Sequence, residues 1–253
     1  MIIQQYKSLL ISCLIIFLSS CTPAKEKQYQ ERNSTDTLIT KATSTRAPIP
    51  TKSHKAMKLD SLGFIEIPTI DSTILIKLMY TQPDNFTGQI LYDDLKEAYL
   101  HPNAAKALVR AHKALKKRHP SYHFIIYDAA RPMSVQKKMW DKVKGTSKNI
   151  YVSNPAHGGG LHNYGLAVDI SIAESSGNPL PMGTEVDYLG PEAHITQESE
   201  LVRRGRISEQ EMQNRLLLRQ VMREGGFRSL PSEWWHFNFC SRETARKEYK
   251  LIP

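Results

Sequence analysis

The sequence has little cysteine, and this scarcity excludes a fold held together by disulfides. Its three cysteines stand at positions 13, 21 and 240 of 253 residues. We expect Cys13 to leave with a cleaved leader and Cys21 to carry a lipid, which leaves Cys240 without an intramolecular partner. The neighbouring Phe239 favours a role for Cys240 as an apolar filler of the core. The folded domain is therefore expected to be stable without disulfides.

The sequence also lacks an apolar run of the length that a membrane-spanning helix needs, which is about 20 residues. The apolar residues 9–18 follow the single charge of Lys7 and end in a Leu-Ser-Ser-Cys motif at residues 18–21. This arrangement resembles a bacterial lipobox. We therefore expect residues 1–21 to be a lipoprotein signal peptide, with the lipid attached to Cys21.

Residues 22–60 show no apolar periodicity and are rich in Thr, Ser, Lys and Pro, a composition typical of a disordered tether. The tether carries eight basic and four acidic residues, part of a net charge of +9. Because the leader sends the chain out of the cytoplasm, this charge suits an anionic membrane better than nucleic acid. The expected location is the cell envelope, lipid-anchored to a membrane and facing the periplasm or the exterior.

Residues 61–253 are enough for one domain with a full core, and they contain no internal repeat. Apolar spacing predicts a helix over 103–118, and a buried strand over 122–127 runs into Arg131 and Pro132. A further helix is expected from residue 134 to residue 143. A capping box at Ser208 begins another helix, which ends at a pair of glycines. We expect this domain to have an α+β fold.

Two motifs near the end of this domain carry the chemistry. The spacing is His-x6-Asp for His162 and Asp169, and Glu-x-x-His for Glu233 and His236. The two-residue period of the strand after Gly165 places Asp169 opposite an aliphatic face that belongs to the core. The metal site is then expected on the face of the sheet that helices do not cover. We expect the sheet itself to be central and mainly antiparallel, with the helices on its other face.

Two imidazoles and one carboxylate form a three-ligand zinc site that leaves the fourth tetrahedral position open for a water molecule. Glu233, three residues before the last ligand, is the natural base. On an ideal strand it would point away from His236, so we expect it to lie in a loop or at a β-bulge. His157, in the glycine-rich loop before His162, is the rival ligand.

These motifs resemble those of the VanX-type D-alanyl-D-alanine dipeptidases, zinc enzymes of the D,D-peptidase and hedgehog-like fold, over residues 64–240. Gly160 and Leu161 depart from the family pattern, in which serines precede the first metal histidine, and they leave the dipeptide preference open. The segments that carry the resemblance are Leu78-Met79-Tyr80-Thr81, Asn85-Phe86-Thr87-Gly88, Asp128-Ala129-Ala130-Arg131-Pro132, His162 to Asp169, Pro181-Met182-Gly183-Thr184 with Asp187, Gln213-Asn214-Arg215, and Glu233-Trp234-Trp235-His236.

The resemblance implies a role for each of the matching residues. Glu233 would act as general base and acid, and Arg131 would face the tetrahedral intermediate as a cation. Asp187 would pair with the free amino group of the substrate. Tyr80 would line the pocket, although packing as an ordinary strand aromatic is an equal alternative. One zinc ion per chain would be held by His162, Asp169 and His236.

The implied activity is hydrolysis of D-Ala-D-Ala in cell-wall peptide metabolism, with a small dipeptide as substrate and no obligate protein partner. Two alternatives remain. A D,D-carboxypeptidase acting on peptidoglycan stem peptides would need an open cleft, whereas Asp187 and the segment 188–206 indicate a closed pocket. A non-catalytic, zinc-stabilised lipoprotein that binds the cell wall would require neither Glu233 nor Arg131.

Overall fold

The computed structural model describes residues 52–253, so the predicted signal peptide, Cys21 and most of the predicted tether lie outside the described residues. The helices are α1 (His54–Ser61), α2 (Ile67–Ile70), α3 (Pro102–Arg118), α4 (Met133–Val143), α5 (Glu198–Arg203), α6 (Glu209–Gly225) and α7 (Arg242–Glu248). The strands are β1 (Ile65–Glu66), β2 (Leu75–Ile76), β3 (Tyr99–Leu100), β4 (His123–Asp128), β5 (Ala167–Ala173), β6 (Arg228–Leu230) and β7 (Glu233–Asn238).

A five-stranded sheet organises the molecule, with strand order β2-β4-β5-β7-β6. Only the β2–β4 pair is parallel; β4–β5, β5–β7 and β6–β7 are antiparallel. A separate pair, β1 and β3, is antiparallel too. The prediction of an α+β fold with a mainly antiparallel sheet is confirmed.

Helices α3 and α6 pack against each other and supply much of the core beside the sheet. Gly225 at the end of α6 permits this close approach, because a Cβ there would lie 2.7 Å from the carbonyl oxygen of Ala107. The apolar side chains of β5, including Val168 and Ile170, are fully buried in the same core. Each buried aliphatic side chain of this size contributes about 1.5–3 kcal/mol.

The predicted helix boundaries agree closely with the structure. The helix expected over 103–118 begins one residue earlier, at Pro102, where the fixed φ of proline suits the first turn. The predicted capping box of α6 is present: the Ser208 hydroxyl accepts from the Glu211 backbone N–H, and the Glu211 carboxylate accepts from the Ser208 N–H. Gly226 ends the helix in the left-handed conformation.

The start of the folded domain was placed too late. Helix α1 occupies residues 54–61, most of which were assigned to the disordered tether, and its Ala56 and Leu59 are buried in the core. Two buried apolar residues in one short helix give no periodic signal that could be read from the sequence. Within residues 52–253, no helix is both long enough and apolar enough to cross a membrane.

Candidate metal centre and active site

The two predicted motifs meet at the middle of the sheet. Asp169 of β5 is the direct cross-strand partner of His236 in β7, so both side chains project from the same face. His162 approaches from a 3-10 turn, Leu161–Tyr164, that ends at Gly165. Gly165 has φ +64°, a conformation that costs glycine little and lets the chain bend sharply into β5. This is the bend that the sequence required between the two ligands.

The three side chains form a nearly equilateral triangle of ligand atoms. His162 Nε2 lies 3.2 Å from His236 Nδ1 and 3.3 Å from Asp169 Oδ1. His236 Nδ1 lies 3.0 Å from the same carboxylate oxygen. Tetrahedral zinc with bonds of about 2.0–2.1 Å holds its ligand atoms roughly 3.3 Å apart. The geometry and the donor set therefore fit a zinc ion.

The opposite ring nitrogens have partners that would orient both imidazoles toward a metal. His162 Nδ1 lies 2.7 Å from the carbonyl oxygen of Ala129, and His236 Nε2 lies 3.0 Å from Oδ1 of Asn238. Such outer contacts fix the tautomer of metal-bound histidines. His157, the rival ligand, is exposed and does not belong to this group.

Asp169 is held as a carboxylate. Burial alone would raise the pKa of this side chain, but the neighbouring charges and hydrogen bonds of His162 and His236 lower it well below its usual range. The Arg131 guanidinium, 3.8 Å from Asp169 Oδ2, adds positive charge on the other side. An ionised carboxylate is the form that binds a metal.

Glu233 is the first residue of β7 and lies at an irregularity in the pairing of β6 and β7. Such an irregularity was expected, because Glu233 is an odd number of residues from His236 and would otherwise point to the opposite face. Ser229 pairs with Phe237, yet the next residue of β6, Leu230, pairs with Glu233, so the register shifts between them. Glu233 Oε2 consequently lies 3.8 Å from His236 Nδ1. Burial raises the pKa of Glu233 to about 7, because the attraction of His236 only partly offsets the desolvation. A carboxyl with this pKa can both take and return a proton near neutral pH.

Arg131 is fixed by a set of buried polar contacts that the sequence did not reveal. Its Nε donates to Asp128 Oδ2 at 2.8 Å, Nη2 donates to the same oxygen, and Nη1 donates to Gln136 at 2.9 Å. Asp128 is fully buried and also accepts from the Tyr92 hydroxyl at 2.5 Å. Asp128, Asp169 and His236 are aligned across three adjacent strands. The position of Asp128 at the end of a strand, three residues before Arg131, was the available signal.

Asp187 and Tyr80 meet on the same cavity wall. The Tyr80 hydroxyl lies 3.0 Å and 3.1 Å from the two carboxylate oxygens of Asp187, and the Arg131 guanidinium lies 5.4 Å from the centre of the Tyr80 ring. Burial raises the pKa of Asp187 to about 7, and the negative charge of Asp169 adds to the effect. Tyr80 lies in a 3-10 turn, Met79–Thr81, and not in a strand as its alternative role assumed. Its side chain is buried and also lines the cavity.

One cavity of about 100 Å³ joins all the residues that the sequence singled out in the domain: His162, Asp169, His236, Glu233, Arg131, Asp187 and Tyr80. Helix α4 contributes Gln136 and Met139 to its wall, and α7 contributes Arg242. Other lining residues that sequence reasoning did not identify are Tyr151, Ser153 and Leu189. Tyr151 ends a 3-10 turn, Ser147–Tyr151, whereas Ser153 and Leu189 lie in loops, and the positions of all three depend on contacts distant in sequence.

Comparison with known proteins agrees with this geometry. A family model described as D-ala-D-ala dipeptidase, peptidase M15, matches residues 60–251. The D-alanyl-D-alanine dipeptidase of Escherichia coli strain K12 is 30% identical over 178 residues, which cover 70% of this chain and 85% of that protein.

Two further relatives carry the same name. The D-alanyl-D-alanine dipeptidase of Synechocystis sp. strain PCC 6803 is 30% identical over 168 residues, covering 55% of this chain and 68% of the relative. The D-alanyl-D-alanine dipeptidase of Enterococcus faecium is 23% identical over 197 residues, covering 70% and 91%. Since the family model spans most of the chain, this protein belongs to the D-Ala-D-Ala dipeptidase family of M15 metallopeptidases.

Proposed function

We propose that this protein hydrolyses D-alanyl-D-alanine in cell-wall peptide metabolism and binds one zinc ion per chain. The observation that carries the proposal is that a three-ligand triangle, a carboxyl with a pKa of about 7 and a second carboxyl with a pKa of about 7 line one small cavity. Names of relatives and the family description support the choice of substrate.

His162, Asp169 and His236 would hold the zinc ion. When bound, zinc lowers the pKa of a water molecule toward 7 and polarises the scissile carbonyl group. Glu233 is placed to accept the proton of the attacking water at a carboxylate oxygen and to return it to the leaving amine. In the metal-free protein, burial raises the pKa of this carboxyl to about 7, so its desolvated carboxylate has a greater affinity for a proton than an exposed glutamate.

Arg131 would stabilise the negative charge that develops on the carbonyl oxygen. The guanidinium stays charged, because the carboxylate of Asp128 offsets the effect of burial and keeps the pKa of Arg131 well above its usual value. Its contacts with Asp128 and Gln136 fix the group before substrate arrives. A donor that is already oriented stabilises the transition state without the energetic cost of reorganisation during the reaction.

Asp187 would bind the ammonium group of a free dipeptide. The Tyr80 hydroxyl holds the carboxylate in place, and the cavity wall removes competing water. A substrate with a longer amino side would place an uncharged peptide group against this carboxylate. The small cavity therefore favours a dipeptidase. The alternative, a D,D-carboxypeptidase acting on stem peptides, would need more space on the amino side of the substrate.

The direct test is hydrolysis by purified, zinc-loaded protein of three substrates: D-Ala-D-Ala, L-Ala-L-Ala and a pentapeptide stem. We expect release of D-alanine from D-Ala-D-Ala far faster than cleavage of the other two. Equal cleavage of the L,L-dipeptide would contradict the stereochemical proposal. Preferential trimming of the pentapeptide would instead support a D,D-carboxypeptidase.

A lipid on Cys21 and a place in the cell envelope are also proposed, on the sequence motif at residues 18–21 and the basic segment that follows. A lipid contributes about 0.8 kcal/mol per buried methylene group to membrane binding. Full-length protein should therefore fractionate with membranes, and the Cys21→Ser variant should not. Cys13→Ser is the matched control and should fractionate like the wild type. Equal fractionation of the Cys21 variant and the wild type would contradict the anchor.

A further inference from the structure

The proposed dipeptide carries two charges, and the roles assigned so far account for only one of them. Asp187 would pair with the ammonium group, whereas nothing yet pairs with the terminal carboxylate. The cavity lining contains two arginines, Arg131 and Arg242. Either arginine could bind the terminal carboxylate only if its guanidinium has donors that are not already used.

The Arg131 guanidinium is already occupied. Asp128 accepts from two of its nitrogens, and Gln136 accepts from the third. The same side chain also lies 3.8 Å from Asp169. Its remaining donor capacity faces the metal ligands, where the carbonyl oxygen of the scissile bond would lie.

Arg242 is in the opposite situation. It is the first residue of α7, and the preceding Ser241 caps the helix by accepting from the Thr244 N–H at 3.0 Å. The Arg242 side chain is exposed at the cavity rim and donates one hydrogen bond, from Nη2 to Ser153 Oγ at 3.2 Å. Within residues 52–253, no carboxylate lies within 4.0 Å of its nitrogens.

Ser153 places a hydroxyl beside Gly160, one of the two positions at which the family pattern has a serine and this chain does not. A Cβ at Gly160 would lie 2.9 Å from Ser153 Oγ, so the serine hydroxyl occupies the space beside the backbone of Gly160. Leu161 and His162 follow directly. The Ser153 hydroxyl therefore lies next to the turn that carries the first ligand, although Ser153 itself comes from an earlier loop.

A continuous chain of contacts orders the cavity wall from one charge to the other. Asp187 contacts Tyr80, and the Tyr80 ring faces Arg131. Arg131 donates to Gln136, and Gln136 Nε2 donates to the backbone oxygen of Ser153 at 2.8 Å. The contact between Ser153 and Arg242 completes the sequence. In this sequence of contacts Arg131 comes between Asp187 and Arg242, and both of these residues line the same cavity.

We infer that Arg242, with the hydroxyl of Ser153, forms the subsite that binds the terminal carboxylate of the dipeptide. The inference rests on the proposed function, because it takes a free dipeptide as the ligand. An arginine fork and a hydroxyl together offer the donors that a carboxylate accepts. The ammonium and carboxylate groups of the ligand would then lie against opposite charges, which fixes its direction across the metal ligands.

The test measures binding apart from turnover. In zinc-loaded Glu233→Gln protein, calorimetry gives the Kd of D-Ala-D-Ala and of its C-terminal amide, which lacks the negative charge. Adding Arg242→Gln should weaken binding of the free acid by about 10- to 100-fold, the range of charge-assisted hydrogen bonds, and leave the amide nearly unchanged. Arg242→Lys should recover part of the loss, since it keeps the charge without the fork.

Arg246 provides a matched control on the same helix. It is exposed, donates to the backbone oxygen of His157 and does not line the cavity. Arg246→Gln should bind both ligands like the parent protein. The inference is overturned if Arg242→Gln leaves the affinity for the free acid unchanged, if it weakens acid and amide equally, or if the parent binds neither ligand. If Arg242→Gln no longer distinguished acid from amide, and the wild-type enzyme with Glu233 intact did not hydrolyse D-Ala-D-Ala, the subsite would be supported and the proposed hydrolysis contradicted.

Discussion

The phenolic oxygen of Tyr80 lies 3.0 Å from one carboxylate oxygen of Asp187 and 3.1 Å from the other. The residues are far apart in the chain, and Asp187 reaches this position with a backbone φ of +70°. Burial and the charge of Asp169 raise the pKa of Asp187, and the hydrogen bond from Tyr80 offsets only part of this rise. A substrate ammonium group would supply the positive charge that this carboxylate lacks.

The first prediction concerns the amino end of the substrate. Free D-Ala-D-Ala should be hydrolysed at least ~100-fold faster than its N-acetyl form, because acetylation removes the ammonium and leaves the Asp187 carboxylate unpaired. Asp187→Asn should reduce this ratio strongly, and asparagine tolerates the positive φ at this position. Steady-state kcat/KM values on both substrates provide the measurement.

Glu185→Gln is the control for that comparison, because Glu185 is an exposed carboxylate two residues away. It should keep the wild-type ratio between free and acetylated dipeptide. Comparable rates on the two substrates in the wild type would rule out recognition of a free ammonium group. Such a result would favour the carboxypeptidase alternative.

The second prediction concerns stability and pH in the metal-free protein. The pKa of Asp187 is about 7 in the folded state and about 3.8 when unperturbed. Between these values the unfolded chain loses a proton that the folded protein keeps, so this residue lowers stability as pH rises from about 4 to 7. Asp187→Asn should therefore match the wild type near pH 3.5 and exceed its stability at pH 8.

Urea unfolding of both proteins across this range measures the effect. The difference in unfolding free energy should grow with pH and become constant above about pH 8. Glu185→Gln should show no such growth. A difference independent of pH would mean that Asp187 is not destabilised by its surroundings.

The third prediction concerns the metal. His162→Ala, Asp169→Ala and His236→Ala should each lose zinc, as measured by metal analysis of purified protein. Asn238→Ala should keep the site but weaken zinc binding by about 10- to 100-fold, because Oδ1 of Asn238 no longer orients the His236 ring. Asn178→Ala, in an exposed turn, should bind zinc like the wild type. Full zinc occupancy in all three ligand variants would contradict the assignment.

Much of this site could be predicted because its residues follow strand periodicity. The face of Asp169 followed from the aliphatic residues on either side of it, and the face of His236 followed in the same way. The mismatch between Glu233 and His236 indicated a bulge, and the register of β6 and β7 contains an irregularity there. Local patterns were sufficient because each of these residues is positioned by its own strand or by the adjacent turn.

The rest depends on long-range packing that no local pattern encodes. Strand β2 has only two residues and pairs in parallel with β4, so it is too short to give a signal. The side chains of Ser153 and Arg242 meet across 89 positions in the chain. Helix α1 buries only two side chains, and its sequence resembles the polar composition of the tether predicted before it. These elements become visible only when the sheet is assembled.

The last prediction concerns proton transfer. Glu233→Gln keeps the size of the side chain and removes the group that can accept a proton, so turnover of D-Ala-D-Ala should fall by at least ~100-fold. Zinc content should be retained, because Glu233 is not one of the three ligands. Thermal stability should not fall, because glutamine replaces a carboxylate that burial disfavours. Glu243→Gln, in α7, is a suitable control and should keep full activity. If Glu233→Gln turned over substrate at a rate near that of the wild type, another residue would have to move the proton, and Glu233 would be left with no chemical role.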